Sequence, residues 1–261
     1  MKNKDFDYSK KDIIKCLKDV GVIKGDNIFI HSNIGFFGRL KDAKEPEDFY
    51  RIFKEAIFNV IGDEGTMVVP TFSYSFCWNQ NFDKKETESV CGIFSEMVRK
   101  DPNASRSEDA NFSIAAKGGN AEYFTSNSPE HSFGEESFWE RFLGKNGKFC
   151  NFNFDSASTF IHYVEKCLKV PYRYDKKFSG LYLSGEKPEK RSFYHFVYDL
   201  EKPHHGPDFA KFNDKAIEKN LVKSSNLGRG QITIISAKDT FKLIEDEIKI
   251  NPSFLIKGKI V

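Results

Sequence analysis

The chain has 261 residues, 39% of them hydrophobic and 30% charged, and its 40 Lys and Arg against 38 Asp and Glu leave a formal charge of +2. The 27 Phe and 10 Tyr supply bulky groups for a packed core, which excludes disorder as the dominant state. A near-neutral balance lacks the basic excess of a dedicated nucleic-acid binder, and no apolar run approaches the roughly 20 residues of a membrane span. The opening MKNKDFDYSKKD interleaves charges without a secretory pattern, so the expected location is the cytoplasm. Five cysteines, Cys16, Cys77, Cys91, Cys150 and Cys167, show no CxxC spacing. They fit neither a disulfide framework nor a zinc knuckle and read as small core hydrophobes, with Cys77 set apart by its aromatic loop.

In chain order, apolar spacing predicts a helix over 9–20, stopped by Gly21, then a buried strand over 27–31 ending in polar HSN. Residues 46–61 form one apolar helical face, with Pro46 in the first turn and GDEG closing it. A second buried strand covers 66–72, a helix 88–100, a third strand 112–116, a short helix 136–143 and a strand 148–154. A helix over 159–168 ends before Pro171. The last third reads as antiparallel-compatible strands at 178–185 and 192–198, a helix at 209–220, a strand at 231–235 and a helix at 238–248. Alternation of this kind predicts one α/β layered domain with no internal repeat or linker, and PHHGPD at 203–208 is the expected flexible loop.

Open α/β sheets place sites at strand ends, which singles out His31, Ser32 and Asn33 after the first strand and Pro70 to Tyr74 after the second. His31 also fits a satisfied strand-end histidine, and Ser32 fits a turn cap. His162 and Glu165 lie three apart on one helical face, where a carboxylate can orient an imidazole for general-base work. Around them, TFIHYV is apolar, so this face packs inward. His131 sits in HSFGEES, where Ser132 or Glu135 can cap the next helix. Adjacent His204 and His205 make a poor chelate, and no metal is expected. G-x-S-x-G, P-loop and dinucleotide fingerprints are missing from the sequence.

Several segments, taken in order, resemble the aminoglycoside 3-N-acetyltransferase family: FIHSNIGFFG (29–38), GDEGTMVVPTFSYSF (62–76), ETESVCGIFSEMVRKDPNASRS (86–107), SIAAKG (113–118), HSFGEES (131–137) and STFIHYVE (158–165). The resemblance implies a single α/β domain of the family's own fold, a mixed central sheet flanked by helices, and a cleft shared by acyl-CoA and an amino sugar. By position, His162 corresponds to the family's catalytic histidine and Glu165 to its acidic partner. The resemblance also puts His31, Ser32 and Asn33 on the channel for CoA, with Asn33 in place of a second Ser, and Arg106 and Ser107 on the cofactor side. Thr71 or backbone N–H groups are candidate donors to the oxyanion.

Two departures bear on the acceptor: Asp109, Ala110, Asn111 and Phe112 stand where the antibiotic-modifying members carry H-P-x-H, and Glu136 and Phe138 alter FGEGSP. The expectation is therefore acyl transfer, acetyl in the simplest case, from acyl-CoA to an amino sugar. A nucleotide-linked acceptor for surface polysaccharide suits the charge of +2, and an antibiotic aminoglycoside is the alternative. A CoA-binding module without activity is disfavoured because His162 and Glu165 are both present. The expected partners are these small molecules, with no nucleic acid and no membrane; the oligomeric state stays open.

Overall fold

The computed structural model describes residues 6–185, 187–202 and 205–260. Helix α1 (Lys10–Asp19) starts on a reciprocal cap between Ser9 and Asp12 and buries Ile13, Cys16 and Leu17. Strand β1 (Asn27–Phe29) follows, and α2 (Pro46–Ile61) begins with proline in its first turn and packs Ile52, Phe53, Ala56, Ile57 and Val60 inward. After β2 (Thr66–Pro70) come α3 (Ile93–Lys100), the two-residue β3 (Ser105–Arg106), β4 (Ile114–Gly118) and α4 (Ala121–Thr125). Helix α5 (Phe138–Gly144), β5 (Lys148–Phe152) and α6 (Phe160–Cys167) lead to long strands β6 (Arg173–Tyr182) and β7 (Glu189–Tyr198). The chain closes with α7 (Ala210–Glu218), β8 (Lys223–Leu227), β9 (Gly230–Ser236) and α8 (Ala237–Ile250).

Seven strands form one mixed sheet in the order β3-β4-β2-β1-β5-β9-β8. Its centre is parallel, β1 pairing with β2 and β5, while β4 and β9 flank it antiparallel. The period-2 geometry of these strands divides the core. Ile28, Met67, Val69, Cys150 and Phe152 join Phe53 and Leu17 on one face, and Phe29, Val68 and Phe149 join Trp139, Phe142 and Phe160 on the other. Burial on both faces explains why the central strands are continuous apolar runs. Mixed-sheet α/β architecture thus agrees with the expectation.

Strands β6 and β7 form a separate antiparallel arm, running from the pair Arg173 and Tyr198 to the pair Tyr182 and Glu189. A small core of Phe76, Phe82, Ala110, Tyr182 and Phe193 fastens it to the loop after β2. Gly180 permits that approach, since a Cβ there would lie 2.4 Å from the Phe76 ring.

Several boundaries differ from the sequence expectations. The helix expected from 88 starts at Ile93, because Gly92 has φ +91° and breaks the run. The third strand begins at Ile114, two residues later than expected, because the Asp109 carboxylate holds 109–112 in a turn through the N–H groups of Asn111 and Phe112. Ser132 and Glu135 do not cap the next helix; Ser137 does, accepting from the Glu140 N–H. Ser132 is spent on Asp109, its hydroxyl donating to Oδ2 at 2.5 Å. His204 lies outside the described residues. Among the described residues no helix is long and apolar enough to cross a membrane, and no group of three or more His, Cys, Asp or Glu is placed to hold a metal ion.

Candidate active site

The carboxyl ends of the parallel strands build the first part of the site. Beyond β1 the chain stays tied to the end of β5: Phe152 N–H donates to His31 O, and Asn33 N–H donates to Phe152 O. The His31 Nδ1 lies 3.2 Å from Asn151 Oδ1. Burial pushes the His31 imidazole down to about 4, against the smaller opposing effect of the Asn151 hydrogen bond, so the ring is neutral at pH 7. Ser32 Oγ is buried without a protein partner, and so is Ser158 Oγ just before α6.

The second part comes from α6 and the arm. Helical spacing sets His162 beside Glu165, with Nδ1 3.2 Å from Oε2. Glu165 is fully buried, whereas His162 retains a fifth of its side-chain exposure. The Glu165 carboxylate is not left to His162 alone. Arg173, from the first position of β6, places a guanidinium nitrogen 2.8 Å from Oε2. That same nitrogen lies 2.6 Å from His162 Nδ1. Its other terminal nitrogen donates to Phe196 O, and the Arg173 Cζ lies 3.6 Å from the Tyr198 ring centroid. The Tyr198 hydroxyl reaches Glu165 Oε1 at 3.5 Å. Burial first, and then the Arg173 charge, push the His162 imidazole down to about 4, outweighing the attraction of Glu165.

Aromatic groups wall this dyad. Phe133 meets His162 edge-on at 5.4 Å and Phe112 at 5.1 Å, while Phe112 in turn contacts Phe72, Tyr74 and His195. Tyr74 continues to Trp78, which is more than half exposed. Phe112 therefore belongs to a series of rings running from the surface towards the dyad, and it precedes β4 instead of sitting in its core face.

Thr71, expected as a donor to the oxyanion, and Arg106 and Ser107, expected on the cofactor side, have their polar atoms engaged within the protein. The Thr71 hydroxyl donates to Ser113 Oγ and the residue is fully buried. Ser107 Oγ accepts from Ile114 N–H at 2.9 Å, bracing β3 against β4. Arg106 shares the wall of a surface cleft with Lys84 and Lys85, yet its guanidinium bonds are internal, to Thr71 O, Lys84 O, Thr87 O and Ser113 Oγ. Burial lowers it to about 10, so it stays charged at neutral pH.

Two features escaped the sequence. Arg173 and Tyr198 reach Glu165 only because β6 pairs with β7 in this register, a relation that helical spacing cannot reveal. Asn111 takes the Cys77 N–H on Oδ1 and donates from Nδ2 to His195 Nε2 at 3.0 Å. The neutral His195 ring must then carry its proton on Nδ1, 3.7 Å from Cys77 Sγ. Burial pushes the Cys77 thiol up to about 11, so it is a protonated packing group and not a nucleophile at neutral pH. His131 lies outside the dyad, stacked on Tyr194.

With this geometry in view, the comparisons with known proteins are consistent. The chain is similar in structure to AAC-IIIb in binary complex with CoASH, with TM-score 0.79 and 20% identity over 93% of this chain and 97% of that one. It is also similar to AAC-VIa bound to sisomicin, with TM-score 0.79 and 20% identity over 93% and 98%. The YokD protein from Bacillus subtilis matches with TM-score 0.75 and 18% identity over 94% and 95%. No curated protein matches the sequence. The sequence profile described as aminoglycoside 3-N-acetyltransferase matches residues 29–249, and the chain therefore belongs to that family of acyl-CoA-dependent N-acetyltransferases.

Proposed function

We propose that this protein, acting as one catalytic domain, moves an acetyl group from acetyl-CoA to the amine of an amino sugar, with His162 as general base. The observation that carries the reading is the neutral, partly exposed imidazole of His162 held against the buried Glu165. In this mechanism a neutral His162 accepts a proton from the acceptor amine at Nε2 as the amine attacks the thioester carbonyl. The tetrahedral intermediate then collapses, the C–S bond breaks, and the imidazolium returns the proton to the departing thiolate. His31, Ser32 and Asn33 would line the acyl-CoA side, with Ser32 and Ser158 offering unpaired hydroxyls.

An aminoglycoside acceptor is supported by family membership and by similarity to AAC-VIa bound to sisomicin. It stands at least level with the nucleotide-linked sugar expected from net charge. One observation favours the latter, the ring series of Trp78, Tyr74, Phe112 and Phe133, which suits stacking of a base or an apolar sugar face. Release of CoA thiol with acetyl-CoA and panels of aminoglycosides and nucleotide-linked amino sugars tests both. No thiol release with any amine of either panel would reject the proposed reaction.

A further inference from the structure

The contact between Arg173 and His162 constrains where the imidazole proton can sit. The guanidinium of Arg173 is almost fully buried, and one terminal nitrogen, 2.8 Å from Glu165 Oε2, is also 2.6 Å from His162 Nδ1. His162 Nδ1 closes the triangle at 3.2 Å from the same oxygen. A guanidinium nitrogen only donates. At that separation Nδ1 must offer its lone pair to Arg173, which leaves the single proton of the neutral ring on Nε2. A general base needs the opposite arrangement, with Nδ1–H donating to Glu165 and the Nε2 lone pair facing the substrate amine.

We propose that Arg173 is a positioning residue that competes with His162 for Glu165 Oε2 and so sets which imidazole nitrogen carries the proton. This rests on His162 being the base. With Arg173 on Nδ1, the ring is a neutral donor at Nε2. When the guanidinium slips off Nδ1 and keeps only the carboxylate, Nδ1–H takes Oε2 and Nε2 becomes the acceptor. The guanidinium has a hold about which to turn, since it donates to Phe196 O and lies over the Tyr198 ring, while its buried Nε has no partner to restrain it.

Glu165 faces the His162 ring from α6, Arg173 from β6, and Tyr198 from β7 with its hydroxyl towards Glu165 Oε1. The buried Tyr172 hydroxyl, beside Glu165, has no hydrogen-bond partner, and burial pushes its ionisation to higher pH, so it stays neutral. Phe133 and Phe209 supply uncharged walls. Glu165 and Arg173 together present His162 with a neutralised pair instead of a lone carboxylate, which removes much of the stabilisation an imidazolium would otherwise receive.

Long-range ¹H–¹⁵N spectra of protein labelled at histidine nitrogen, recorded without substrate, read the tautomer directly. The wild-type ring at pH 7 should carry its proton on Nε2. In Arg173→Lys, whose single ammonium lacks the guanidinium fork, and in Arg173→Met, the proton should move to Nδ1. In Arg173→Met, which leaves Glu165 as a lone carboxylate, the pH at which the ring ionises should also rise by about one unit or more. The acid limb of kcat/KM should move up with it in Arg173→Met, while KM for acetyl-CoA changes less than about 2-fold. A wild-type ring protonated on Nδ1 overturns the proposal whether or not either variant folds. So does a folded Arg173→Lys or Arg173→Met protein whose ring keeps the wild-type tautomer. Absence of acyl transfer would reject the proposed reaction and leave the spectroscopic result to decide the role of Arg173.

Discussion

The hydrogen bond between His31 and Asn151 has a fixed direction. The Asn151 amide nitrogen donates to Asp155 O at 2.5 Å and to Ala157 O at 3.2 Å, so Oδ1 faces His31 and must accept from its Nδ1–H. The lone pair of His31 is then on Nε2, available as an acceptor at the strand end. On the proposed acyl-CoA side, His31→Ala should weaken CoA binding about 10-fold, equivalent to about 1.4 kcal/mol. Titration calorimetry with CoA checks this, and an unchanged affinity would place His31 outside the cofactor channel.

His162 and Glu165 should respond differently to substitution although they touch. Replacing His162 by Ala removes a neutral, partly exposed ring and should lower kcat by ~10²–10⁴ with CoA affinity retained. Glu165→Gln instead strips the fully buried Arg173 partner of its counter-charge, so it should also cost about 3–5 kcal/mol of stability. Urea denaturation of the two variants separates the effects. Equal stability losses would mean that the Arg173–Glu165 pair contributes little to the fold.

Much of this was legible in the sequence where the signal was local. Helix α2 could be read because Pro46 and the apolar positions from Ile52 to Val60 share one face, and the dyad because His162 and Glu165 share another. The central strands announced themselves as buried apolar runs. By contrast, β8 reads KSSNL, a polar edge strand with one buried residue, and it carries almost no hydrophobic signal. Strand β3 is only two residues long, and its Arg106 is held by three carbonyls from two separate segments. The tertiary partners of Glu165 and His195 arise from pairing between distant strands, which residue spacing does not encode. The family resemblance points to Arg106 and Ser107, but the carbonyls, hydroxyl and N–H group that occupy their polar atoms come from other segments of the fold.

Arg106 gives a direct test of that occupation. Arg106→Lys keeps the charge but one ammonium cannot reproduce the bonds to Thr71 O, Lys84 O, Thr87 O and Ser113 Oγ. Leaving buried carbonyls unpaired should cost about 2–4 kcal/mol, read as a lower urea midpoint, with CoA affinity unchanged. A variant of wild-type stability that loses CoA affinity would return Arg106 to the cofactor side.

Acid should weaken the fold through its buried histidines, His31 and His162 among them. His31 and His162 sit at about 4 when folded, against an ordinary value of 6.5. Between these values the unfolded chain binds more protons than the folded one. Stability is therefore present in full above about 6.5 and falls as pH drops towards about 4, by up to about 3 kcal/mol for each ring. Denaturation midpoints measured from pH 7.5 to 4.5 should decline less steeply in His31→Asn. The same slope in both proteins would mean that the His31 ring does not resist protonation in the fold.

The acceptor should be sensed by Phe112. The Phe112 ring is braced by Phe72, Tyr74 and Phe133, the last of which touches His162. The turn that presents it is fixed by Asp109, whose Oδ1 accepts the N–H groups of Asn111 and Phe112. Phe112→Ala removes the ring without disturbing those backbone bonds. If the ring forms a wall of the acceptor subsite, kcat/KM for the best acceptor should fall about 10-fold, mainly through KM, while KM for acetyl-CoA stays within about 2-fold. Phe112→His replaces that wall with a hydrogen-bonding edge and should favour hydroxyl-rich aminoglycosides relative to nucleotide-linked sugars. The ratio of kcat/KM for the two acceptor classes is the deciding measurement, because a general loosening of the core would lower both terms together. A ratio that does not move in either variant would assign Phe112 to packing alone.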